Sequence, residues 1–193
     1  MDNEKLASLV EDYQTVHGPL LDSYLVAFTN FEWPGRVIYD AVHGRNGEIH
    51  SHQWRLRFRP EVLEQACSTL TRRADGIKLC KSFARLLDAV EDATHGVDHF
   101  RELAVYDTSL RIGAHLGLWP KVVYLHAGTR LGYEALVGVT TTSHMVDMDD
   151  LPRPVQVLAA HHAENFLCIY KDCFTGGRVA PKPCFPPAPK RPC

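Results

Sequence analysis

Histidine, arginine and aspartate gather in two stretches of this chain. In the first, GEIHSHQWRLRFRP, His50, His52, Arg55 and Arg57 stand close together. Drawn out as an extended segment, His50, His52 and Trp54 share one face, and Gln53, Arg55, Arg57 and Arg59 share the other. Such a basic face suits an anion; the plainer reading is a solvated edge beside a buried tryptophan. A His-x-His pair is also half of a zinc site, but no third ligand is identifiable, so neither metal nor cofactor is expected. In the second stretch, LAVYDTSLRIGAHLGLWPKVVYLHAGTRLGYEAL, Asp107, Arg111 and His115 recur at helical spacing and stack on one face. They form either an exposed ion-pair ladder or a device in which Asp107 orients Arg111, whose fork then meets a carboxylate or phosphate. Further on, His126, Gly128, Thr129 and Arg130 surround a turn that opens a helix, where backbone N–H groups point towards an anion. The catalytic candidates are His50, His52, Asp107, Arg111 and His126, with histidine as acid or base. The candidates for binding nucleic acid or another anion are Arg55, Arg57, Gly128, Thr129 and Arg130.

The elements that must position these groups read as helices. Residues 4–16, 20–31, the segment from Pro60 to about 73, 77–92, 99–116, 130–137 and 155–170 carry apolar stripes at helical spacing. Pro60 suits a first helical turn, and Ala74-Asp75-Gly76 reads as an interruption. Residues 36–42 fit helix or strand, and in Val122–Leu125, which are β-favouring, a short strand competes with a short helix. Thr129 is the expected cap of the helix that follows it. Gly113, in mid-helix, costs about 1 kcal/mol against alanine and hints at close approach of another backbone. The expected class is therefore mainly α: one compact helical domain over residues 1–173 with minor β at most.

The formal net charge is −2 over 193 residues, so no global field demands nucleic acid or an anionic membrane. No apolar run reaches the ~20 residues that span a bilayer, and the acidic start lacks a signal-peptide layout. A cytoplasmic protein is the expectation. The six cysteines show no CxxC pair; Cys67, Cys80 and Cys168 are expected as small core residues. Residues 174–193 hold Gly176-Gly177 and many of the prolines, with Arg178, Lys182, Lys190 and Arg191, and read as a basic disordered tail.

The phrases HSHQWR, VYDTSLRIGAHLG, VYLHAGTRLGYEAL and ENFLCIYK together resemble an uncharacterised family of bacterial proteins. That resemblance implies a bacterial source and no particular activity. VVYLHAGTRLGYEAL is also similar to the helix-hairpin-helix segment of DNA-binding proteins and base-excision glycosylases. This second resemblance implies a hairpin around Gly128 that binds a DNA phosphate through backbone N–H groups. It also implies a catalytic aspartate about twenty residues on, where Asp147 and Asp149 stand. The chain departs from that pattern in offering Gly128 alone where the hairpin has two glycines, and in lacking the lyase lysine.

Three functions follow, in order. The first is a helical protein that binds or processes nucleic acid, with a hairpin phosphate site. The second is a small-molecule enzyme with a His/Arg/Asp pocket, its ligand a small anion. The third is a non-catalytic interaction protein in which the same residues form a buried polar network. The 50–55 and 107–130 segments are expected to converge.

Overall fold

The computed structural model describes residues 1–44 and 59–175. It is mainly helical, as the apolar periodicity requires. The helices are α1 (Asn3–Val16), α2 (Gly18–Val26), α3 (Gly35–His43), α4 (Pro60–Arg72), α5 (Ala74–Lys78), α6 (Phe83–Thr94), α7 (Glu102–Leu116), α8 (Ala127–Val137) and α9 (Ala160–Phe174). Among the described residues the β structure is one antiparallel pair, β1 (Val123–Tyr124) with β2 (Met145–Val146), in which Val123 faces Val146. These residues group into two compact units. One comprises residues 1–21 with those from 121 onwards; the other runs from 22 to 120, and the division falls within α2. No helix among the described residues is long and apolar enough to cross a membrane.

The terminal unit is built on α9. Tyr13 of α1, Val123 and Leu125 around β1, Tyr133 of α8, and Phe166, Leu167 and Tyr170 of α9 share one core. The crossing of α8 and α9 is close because α8 presents glycine there. A Cβ on Gly132 would stand 2.1 Å from the Leu167 carbonyl oxygen, and one on Gly128 would stand 2.7 Å from Cys168 Sγ. The Gly-x-x-x-Gly spacing of this helix is thus a packing face. Asp2 caps α1, its side chain accepting from Lys5 N at 2.8 Å.

The middle unit is organised around α7, which is buried on almost every side from Ala104 to Ala114. It packs against α3, α6 and a 3₁₀ turn at Ala27–Asn30. The expected close approach at Gly113 is present. A Cβ there would lie 2.5 Å from the Leu118 carbonyl oxygen, because the chain reverses at Gly117 (φ 69°) and runs back past the helix.

Several boundaries move. Residues 36–43 are helix, so no strand forms in the described part of 36–58. The interruption falls at Arg73, one residue before Ala74–Gly76, which start α5, and a second break lies at 79–82. The last helix begins at Ala160, since turns stitched by Val155 N to Pro152 O (2.8 Å) and Leu158 N to Val155 O (3.0 Å) occupy the preceding residues. Cys67, Cys80 and Cys168 are half-buried rather than in the core. Of the residues read as a tail, Phe174 ends α9 and packs against the core, and 176–193 lie outside the described residues.

Candidate functional site

The turn before α8 does not have the build of a phosphate-binding hairpin. The element preceding it is strand β1, not a helix. His126, not Thr129, is the N-cap residue of α8. The Glu164 carboxyl of α9 lies against this turn: Thr129 Oγ1 donates to Glu164 Oε1 at 2.5 Å, and His126 Nε2 lies 3.2 Å from the same oxygen. All three side chains are buried, Glu164 with 7% exposure. A carboxylate at a helix N-terminus is favourable for the reason a phosphate would be. Gly128 serves the contact with Cys168. Arg130 donates to the carbonyls of Leu125 (2.7 Å), Thr141 (3.0 Å) and Ser143 (2.6 Å), tying the strand and loop to its own helix.

Asp107 and Arg111 belong to the middle unit, and they are not an exposed ladder. Arg111 is 1% exposed and Asp107 8%. Arg111 Nη1 donates to the Ala41 carbonyl at 2.6 Å, its Nη2 is 3.9 Å from Asp107 Oδ2, and its guanidinium lies 5.7 Å from the Tyr24 ring centroid. Ala41 is in the last turn of α3, where carbonyls lack helical partners. Arg111 therefore caps α3 with a cation, assisted by Thr108 Oγ1 on the same carbonyl at 3.4 Å. His115, the third rung, stacks on Trp33 and hydrogen-bonds the Phe28 carbonyl at 3.0 Å.

His50, His52, Arg55 and Arg57 lie outside the described residues, and with them the expected convergence of their segment with 107–130. The aspartates placed by the glycosylase resemblance are exposed. Asp147 is the N-cap of a 3₁₀ turn, Met148–Asp150, closed by a reciprocal capping box with Asp150.

Sequence reading underrated two groups. One is the start of α9. Tyr13 Oη and His162 Nδ1 hydrogen-bond at 2.9 Å, Asn165 Nδ2 donates to Tyr13 Oη at 3.2 Å, and His161 is buried beside the His162 ring. Burial, and then the neighbouring His162, holds the His161 imidazole down at about 4. The helical spacing of His161, Glu164, Asn165 and Cys168 was the available signal.

The other group is an exposed basic ridge in the middle unit. Over 72–85 the chain carries Arg72, Arg73, Lys78, Lys81 and Arg85 against the single acid Asp75, and all six are exposed. They run from the end of α4 across α5 to the first turn of α6. Arg72 and Arg73 sit at the negative end of α4, which favours them. Lys81 and Arg85 sit at the positive end of α6, whose first turn holds no acid. Cations there oppose the helix dipole at a cost of about 0.3–1 kcal/mol each. Arg85 lies 3.8 Å from Asp88, and both side chains are largely exposed. Buried Ile77 and Phe83 anchor the ridge on either side of the 79–82 turn.

Comparison with protein-family models, with curated proteins and with solved structures returns no match for this chain.

Proposed function

We propose that this protein binds nucleic acid, gripping the phosphate backbone with the ridge Arg72, Arg73, Lys78, Lys81 and Arg85. The observation that carries this reading is the segregation of charge. A chain of net charge −2 concentrates five exposed cations and one acid in fourteen consecutive residues, two of the cations against an unfavourable helix end. Surface lysine and arginine in such density attract polyanions and gain affinity by releasing condensed counterions. This reading puts the phosphate contact on α4–α6 rather than on the turn before α8, where the Thr129 hydroxyl and the Arg130 guanidinium are engaged within the protein. The test is fluorescence anisotropy with a 20-base-pair DNA duplex over a salt series. Five phosphate contacts give a slope of log Kobs against log salt of roughly −4 to −5. No binding at low salt would remove the reading.

One observation favours a second reading, an acid–base site on α9. His126 lies against Glu164 and His161 against His162, all within the terminal unit, and a shifted imidazole such as that of His161 is a mark of reactive sites. Loss of a measured turnover in both His126→Gln and Glu164→Gln, with the fold intact, would support it.

A further inference from the structure

The turn that joins α5 to α6 projects Leu79 out of the middle of the basic ridge. At 69% exposure it is the most exposed large apolar side chain among the described residues. Its position does not come from a slack loop. Leu79 N donates to the Gly76 carbonyl at 3.2 Å and Cys80 N to the Ile77 carbonyl at 3.1 Å. The Cys80 thiol reaches the carbonyls of Gly76 at 3.7 Å and Arg85 at 3.6 Å. On one side Ile77 is 1% exposed, and on the other Phe83 is 3% exposed. The turn is pinned at both ends with its leucine outward, between Lys78 and Lys81.

Leaving a leucine in water forgoes the ~25 cal/mol per Å² that burial would return. Nothing in the turn's geometry requires an apolar residue there, since Leu79 uses only its backbone to hold the turn (φ −83°, ψ −6°). An apolar side chain fixed among cations matches one kind of partner surface. Phosphates meet the cations, while the side chain enters between bases, as apolar wedges do when they part a base step and kink the duplex. A protein partner with an acidic rim would instead call for an apolar patch, and Leu79 is flanked here by charge.

We infer that Leu79 is a wedge that inserts at a deformable base step of duplex DNA. The inference rests on the nucleic-acid reading above and adds what that reading lacks, a source of preference among duplexes. Phosphate contacts carry no sequence information, whereas a wedge favours steps that unstack cheaply, mismatches above all.

The experiment uses the full chain and two 20-base-pair duplexes, one fully matched and one with a central mismatch, each carrying 2-aminopurine beside the central step. The wild-type protein should bind the mismatched duplex more tightly and raise 2-aminopurine emission as the step opens. Leu79→Ala should lose the emission rise and bind the mismatched duplex on the order of tenfold more weakly, while its salt slope stays that of the wild type. Leu79→Met, which keeps an apolar chain of similar reach, should restore both. Lys81→Ala should do the reverse, lowering the slope by about one with the mismatch preference kept. An emission rise in Leu79→Ala equal to that of the wild type would overturn the wedge and leave the ridge standing. Absence of wild-type binding to either duplex would overturn both.

Discussion

Alanine at Gly132 should destabilise the protein, although alanine is the better helix former. Gly132 lies inside α8, where glycine costs about 1 kcal/mol against alanine, so local propensity alone predicts a gain. The added Cβ, however, would stand 2.1 Å from the Leu167 carbonyl oxygen, 2.7 Å from its carbon and 3.2 Å from its Cα. All three are backbone atoms of α9, so no side chain can rotate away. The helices would have to part by more than 1 Å, and overpacking of this kind costs about 3 kcal/mol. The net loss is about 2 kcal/mol, or a fall in melting temperature of roughly 4–8 °C for a chain of this length. Gly76 in α5 supplies the control, since a Cβ there meets nothing within 4 Å. Gly76→Ala should gain up to about 1 kcal/mol. Thermal melts followed by circular dichroism on both variants check the pair. If Gly132→Ala melts at or above the wild type, the α8–α9 crossing is not the close contact described, and Gly128 and Gly132 must be explained otherwise.

Arg111→Ala should cost about 3–5 kcal/mol in a denaturant melt, because it removes the cation beside buried Asp107 and leaves the Ala41 carbonyl with weaker capping. A loss below 1 kcal/mol would show that Arg111 is not structural. Stability should also fall in acid through His161, whose folded-state value of about 4 lies below its ordinary 6.5. The unfolded chain then takes up a proton that the folded chain refuses, so stability is full above about pH 6.5 and falls between 6.5 and 4, by on the order of 3 kcal/mol. Burial shifts His17 in the same direction. His161→Gln should flatten this part of the pH–stability curve, and an unchanged curve would refute the assignment.

The helical class was legible because apolar stripes recur along α1, α4, α6 and α7, and the backbone approach at Gly113 was legible because glycine there has no local reason. The roles of the charged residues were less so. Asp107 and Arg111 fit an exposed pair as well as a buried one, since helical spacing fixes which residues share a face and not what covers that face. Gly128 followed by Thr129 reads as an anion site, but the Thr129 hydroxyl meets Glu164, thirty-five residues away, which no local pattern reveals. Arg130 was assigned to phosphate because its carbonyl partners come from a loop that only the fold brings back. The ridge was fully present in TRRADGIKLCKSFAR, but its charge vanished in the net of −2, and Ala74–Gly76 was read as a break rather than as the helix that carries it.

The central claim is that α4–α6, and not the turn before α8, meets the phosphate backbone. The most direct measurement is the salt dependence of binding to one DNA duplex for the wild type, Lys81→Ala and Arg130→Ala. Lys81→Ala should lower the slope by about one unit and leave the melting temperature unchanged. Arg130→Ala should lower the melting temperature, since it releases the carbonyls of Leu125, Thr141 and Ser143, and keep the wild-type slope. A slope lowered by Arg130→Ala and untouched by Lys81→Ala would contradict the account.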